Sequence, residues 1–231
     1  MPILEENTAF AYKTLCKHTG IIIPKNKHAK SVITKRKFSH YSSSKQQIGI
    51  KKDSLYWWDT YFEEVSHAIR HYASPNEGWN RESPVAYHIV SEFFGGLGRV
   101  LGRAFTTNTP GKTKWRPLYC YDKTFDVLES PKAWVKQSRQ KIKEEQNNKK
   151  IGDFFACNQS HPLIAYNTIG HQLGYLLAEN YFLPNHPKTT FKSLYSMKTD
   201  DIANFIFPAI INKSRQIKEV WDALTGLPVS R

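Results

Sequence analysis

Polar and apolar positions alternate over Gln46 to Lys51, with Ile48 and Ile50 to one side and Gln47, Gly49 and Lys51 to the other. That two-residue period predicts a short strand. The period then lengthens. Leu55, Trp58, Phe62, Val65, Ile69 and Tyr72 recur at steps of three or four and form one apolar stripe, while Asp59, Glu63, Glu64 and Arg70 take other faces. This predicts an amphipathic helix, which Asp53 or Ser54 can cap. A turn with Pro75, Gly78 and Asn80 follows, and Ser83 with Pro84 opens a second helix carrying Val85, Ile89, Phe93, Leu97, Val100 and Ala104 at helical spacing.

Strand, helix, turn and helix over residues 46–105 is the order found in ribbon-helix-helix DNA binders. There two chains pair their strands into a ribbon whose outward side chains enter the major groove. An ordinary edge strand leading into a core helix carries the same pattern. The Val32-Ile33 pair offers a second register for the ribbon strand.

Elsewhere the pattern is mainly helical. Residues 1–20 predict a short helix with Leu4, Ala11 and Leu15 inside, ended by Gly20, and Ile21 to Ile23 a short strand stopped by Pro24. Residues 25–45 keep no sustained period and read as a mobile basic arm or a long loop that a ligand could order. Residues 106–117 form a loop and an internal boundary. A strand over Leu118 to Leu128, a basic surface helix over residues 132–150 and a buried helix over residues 163–182 follow. The last helical region opens at Thr199-Asp200, is interrupted by Pro208 and closes at Gly226. The expected fold is mainly α with a few short strands. A basic arm (1–45) precedes a ribbon-helix-helix-like DNA-binding and dimerisation unit (46–105), and a helical domain (106–231) packs on it.

Composition adds one strong signal. With 40% hydrophobic residues and 13% aromatics, the 231-residue chain is that of a folded protein. No apolar run reaches the ~18 residues of a membrane span, and the N-terminus lacks the layout of a secretory signal. A soluble, cytoplasmic protein with no membrane partner is expected. Cys16, Cys120 and Cys157 form no CxxC pair, so they indicate neither a zinc site nor a disulfide framework. The net charge, +13, is uneven: from Asn7 to Lys52 there are eleven Lys or Arg and no acid, which leaves +9 on residues 1–52 and +4 on the remaining 179. Such a concentration is the footprint of a polyanion binder. Lys25, Lys27, Lys30, Lys35, Arg36 and Lys37 suit phosphates.

Candidate chemistry is sparse. Gly95, Gly96, Gly98 and Gly102 do not follow GxGxxG or carry a GK[ST], so close helix packing or a kink accounts for them better than a nucleotide loop. Arg81 and His88 have the loose spacing of HEPN-type ribonucleases, yet Arg81 stands before the helix. His161 and His171 lack a carboxylate or cysteine at ligand spacing, and Asp122, Asp126 and Glu129 with Lys132 suggest a nuclease cluster only faintly. The expectation is no enzyme, no metal and no cofactor.

Three segments bring a resemblance into view: Asp53 to Trp58 (DSLYWW), Ser83 to Tyr87 (SPVAY), and Thr199 to Ile202 (TDDI) followed by Gly226 to Pro228 (GLP). In that order they resemble the family of integrating-conjugative-element proteins that includes AcaB, an activator of conjugation genes on IncC-type plasmids. The similarity is scattered over residues 53–228 and leaves the first 52 unmatched. It implies a ribbon-helix-helix unit in a larger helical protein, and a homodimer at a promoter of plasmid transfer genes.

The residues themselves assign the contacts. Gln47 and Lys51 read bases, Gly49 allows close approach, and Lys45, Lys52, Lys35, Arg36 and Lys37 hold phosphates. Leu55, Trp58, Phe62 and Val65 form the dimer core, and the remaining helices add dimerisation or contacts to transcription machinery. The expected function is a sequence-specific regulator of double-stranded DNA. Its rivals are a nuclease and a sequence-independent nucleic-acid-binding component of a conjugation complex.

Overall fold

A computed structural model describes residues 2–36, 39–77, 85–106, 109, 111–115, 174, 188–212 and 218. They are mostly helical, with one small sheet. The chain divides into two units: Met1–Gly78, Phe94–Arg116 and Gly174–Lys198 make the first, and Trp79–Phe93, Pro117–Leu173 and Thr199–Arg231 the second. Neither expected boundary, at 45 or at 105, separates them.

In the first unit, α1 (Pro2–Thr19) buries Leu4, Ala11 and Leu15, as their spacing predicts. Gly20 ends it at φ 74°, donating to Cys16 O at 3.0 Å; that left-handed conformation suits glycine. Burial pushes the free Cys16 thiol up to about 11, so it is a poor nucleophile near neutral pH. Among the described residues Ile21 to Ile23 pair with no strand, and a 3₁₀ turn, Lys25–Lys27, follows them.

Residues 30–51 form a sheet in the order β1-β3-β2, with β1 (Lys30–Thr34) parallel and β2 (His40–Ser42) antiparallel to β3 (Gln47–Lys51). The supposed basic arm therefore supplies two of the three strands. Its lack of period has a local cause. Ser31 faces inward with Ile48, and its hydroxyl donates to Thr8 Oγ1 at 2.6 Å, while Val32 faces outward with Gly49. Polar-in and apolar-out at adjacent positions erases the alternation by which a strand is recognised. The Tyr12 hydroxyl, accepting from Ala29 N–H at 3.0 Å, fixes the start of β1 to α1. A turn over residues 43–46, with Gln46 at φ 46°, joins β2 to β3.

Helix α2 (Trp58–Ala73) begins after Trp57, with no side-chain cap, so neither Asp53 nor Ser54 caps it; both belong to the 3₁₀ turn Lys52–Ser54. Trp58, Phe62, Val65 and Ile69 of the stripe are fully buried, but so is most of the opposite face, including Asp59, Glu64, Ser66 and Arg70. The helix runs through the middle of the unit, touching α1, β2, β3 and α4 (Lys188–Ser196). Phe10 packs on Trp58 (ring centroids 5.0 Å apart) and Trp115 on Phe62 (5.2 Å). Helix α3 (Val85–Phe105) contributes Phe94 onward to this unit. A Cβ at Gly98 would overlap Ser66 Cβ and the Phe62 carbonyl, and one at Gly102 the Phe62 ring. These two glycines let α3 lie directly on α2.

Ser66 and Arg70, two buried polar residues of α2, have partners, whereas Trp58 Nε1 and His71 Nδ1 have no hydrogen-bond partner among the described residues. Ser66 donates to Phe94 O and shares a hydrogen bond of 2.6 Å with the Tyr195 hydroxyl. Arg70 donates to Ser74 Oγ at 3.0 Å and to Tyr195 O, with its guanidinium 4.7 Å from the Phe94 ring centre. Arg99 pairs with Glu63, and Arg103 with Asp59 at 3.5 Å. Truncating one partner of such a buried pair strands the other, and that is the costly event.

In the second unit, α5 (Thr199–Asp201), a π turn (Ile202–Ile206) and α6 (Phe207–Ile211) follow one another. Pro208 does not interrupt the helical path. It lacks an N–H and its ring crowds the carbonyl four residues back, which the wider π turn accommodates. Phe93 and Phe207 meet edge to face, with ring centroids 5.4 Å apart. Among the described residues no helix is long and apolar enough to cross a membrane.

Candidate nucleic-acid interface

The registers define the outer face of the sheet. Gln47 stands between Lys30 and Ser42, Gly49 between Val32 and His40, and Lys51 beside Thr34. Ile48 and Ile50 are entirely sealed beneath, while Gln47 and Lys51 are half-buried and Lys30 exposed. Every side chain on this face except Val32 carries a polar group, and none is acidic. Hydrogen-bond donors thus line a surface held by three paired strands.

The phosphate candidates surround it. Lys45 is exposed in the turn between β2 and β3, Lys35 and Arg36 are exposed just past β1, and Lys52 is exposed just past β3. Arg36 N–H donates to Thr34 Oγ1 at 3.1 Å and Lys51 N–H to Ser39 Oγ at 2.9 Å, bonds that fasten both ends of the connection leaving β1. Lys51 Nζ lies 2.6 Å from Asp53, whose side chain is 67% exposed. An exposed pair of this kind is worth little and yields readily to a competing acceptor.

Three expectations change. Gly49 does not leave room for a ligand: a Cβ there would stand 2.5 Å from His40 Cε1 and 3.1 Å from Thr34 Cβ. The missing side chain makes room for the His40 ring instead. Trp58, Phe62 and Val65 are not a surface awaiting a second chain, because α1 and the segment around Trp115 already cover them; Leu55 is half-buried. The ribbon at 46–51 is likewise displaced. β3 is the middle strand with both edges paired inside the chain, so it has no free edge for a partner.

Sequence reasoning missed Ser42, His40 and Thr34 as members of this face; it placed Lys30 among the phosphate contacts of a basic arm or loop, and kept Val32-Ile33 beside it as a second register for the ribbon strand. The signal for these residues lay in the pairing of β1 and β2 with β3, and it is non-local. Lys37, Arg81, Asp122, Asp126, Glu129, Lys132, His161 and His171 lie outside the described residues, as do the Ser83-Pro84 helix start, the helix expected over 132–150 and, but for Gly174, the one expected over 163–182. His88 lies in α3, but its side chain is also outside them. No protein-family model, curated protein or solved structure matches the chain.

Proposed function

We propose that the chain is a non-catalytic, sequence-specific regulator that binds double-stranded DNA through the outer face of its sheet and acts as a homodimer. The observation that carries this reading is the grouping of Lys30, Gln47 and Lys51 with Ser42 and His40 on one acid-free face. Paired strands of this kind fit the major groove, where a glutamine amide matches adenine and a lysine the guanine acceptors. Lys45, Lys52, Lys35 and Arg36 would take flanking phosphates, which set register and carry the salt dependence.

The ribbon-helix-helix element of the reading moves from β3 to β1. Lys30 N–H bonds to Gln46 O at 3.0 Å, so in this parallel pair Lys30, Val32 and Thr34 direct their backbone groups to β3. Ser31 and Ile33 direct theirs to the other side of β1, with which no strand pairs among the described residues. A second copy pairing antiparallel about Val32 would match Ser31 with Ile33 and set Lys30 opposite Thr34, not opposite another lysine. The resemblance to integrating-conjugative-element proteins would make conjugation genes the target and activation the outcome, with the second unit available to the transcription machinery.

Selection of bound sequences from random duplex DNA at physiological salt tests the reading. An enriched two-fold motif supports it, and recovery of unenriched DNA points to a sequence-independent binder. Cleaved DNA points to a nuclease. For the dimer, Val32→Cys should form an inter-chain disulfide under mild oxidation while Lys30→Cys does not. A chain that sediments as a monomer on its enriched DNA removes the dimer.

A further inference from the structure

Strand β3 leaves the outer face at Lys51 and runs into the turn Lys52–Ser54, beyond which Tyr56 is 52% exposed. This tyrosine stands on fixed backbone. Leu55 N–H donates to Lys52 O, Trp57 N–H to Ser54 O, and the Tyr61 hydroxyl to Leu55 O at 3.0 Å. Lys114 N–H donates to Tyr56 O and Trp58 N–H to Lys114 O, both at 2.9 Å. Residues 111–115 are therefore laid alongside Tyr56 and Trp57.

That second segment is fastened too. Gly111 turns the chain at φ 70°, and from there exposure alternates: Lys112 and Lys114 point out while Thr113 is buried and Trp115 half-buried. Thr113 Oγ1 accepts from Asn7 Nδ2 at 2.8 Å, and Trp115 lies between the Phe62 ring and the Arg103 guanidinium. The result is an exposed aromatic ring in a rigid corner that also carries the exposed lysines 52, 112 and 114. Asp53 is the only acid in the two segments, and it is paired with Lys51.

We propose that this corner binds single-stranded nucleic acid, with an unpaired base stacked on Tyr56 and neighbouring phosphates on Lys52, Lys112 and Lys114. A duplex keeps its base faces covered, so an exposed ring can stack only where a base has left its stack. Every base offers such a face, which makes the contact tolerant of sequence, and lysines beside it follow the backbone. The polyanion rests on the reading above, but the strand state differs, so the two proposals fail separately.

The test compares labelled oligo(dT) with a duplex hairpin over a range of salt, using the full chain. Tyr56→Ala should weaken oligo(dT) binding by about 5- to 150-fold, Tyr56→Phe should retain it, and neither should change duplex binding or the melting curve. Lys112→Gln with Lys114→Gln should lower the salt slope by about 1.4. The inference is overturned if Tyr56→Ala binds oligo(dT) like the wild type, or if the chain holds the duplex and ignores oligo(dT). Tyr56-dependent oligo(dT) binding without duplex binding would support this corner and remove the sheet face from the duplex reading.

Discussion

On one side of β3, Ile48 and Ile50 are wholly excluded from water; on the other, Gln47 and Lys51 stand half-exposed among Lys30, Ser42 and His40. The inner side continues into a dense seam where α3 glycines rest on Phe62 and Ser66. The outer side has polar tips and no acid. The contrast teaches which changes each side tolerates. A substitution inside should be felt as stability, and one outside as binding.

The largest effect should come from the inner side. Trp58→Ala removes a fully buried indole packed against Phe10, Tyr61 and Phe62, and should cost about 3–5 kcal/mol in denaturant unfolding. An unchanged midpoint would mean that the stripe is not a core. Gly98→Ala comes next, at about 1–3 kcal/mol, because the added carbon meets the Phe62 carbonyl as well as a side chain, and backbone cannot swing aside. A neutral result would show that α3 can lift from α2.

Outside, Gln47→Ala and Lys51→Ala should each lose about 1–3 kcal/mol of discrimination between selected and random DNA while stability stays within about 0.5 kcal/mol. Equal losses on both DNAs would demote the pair from base readers to phosphate contacts.

The smallest effect is in pH. Burial lowers the pKa of His71, whose Nδ1 is buried without a hydrogen-bond partner among the described residues, and of His28, helped by Lys25. In the unfolded chain both take up a proton near pH 6.5, but the folded state resists it. Stability is therefore fully present above about pH 6.5 and lost as the pH falls from there through the folded values. Replacing His71 with Phe should flatten urea midpoints measured between pH 7.5 and 5; an unaltered slope would assign the loss elsewhere.

Local pattern made the helices legible. Steps of three and four marked α2, steps of seven and four marked α1, and the α3 glycines announced close packing because they matched no nucleotide loop. The alternation at 46–51 also separated the two faces of β3 correctly. Beyond that, single-segment reading had no access to partners. Asp59 and Arg70 look like solvated charges, and they are buried because Arg103 comes from a distant part of the chain to meet Asp59, and Tyr195 and Phe94 to meet Arg70.

By itself, then, the sequence determined the charge and where it is concentrated, the helical stripes and the polar side of one strand, since each depends on neighbours a few positions apart. Tertiary structure alone decided that β3 is central, that the Lys-rich segment flanks it as two strands, and that residues 111–115 lie against Tyr56. The physical reason is that strand pairing joins backbone to backbone, and those groups are the same at every residue. Hydropathy says which side of a strand is buried; only the folded chain settles which strand lies beside it.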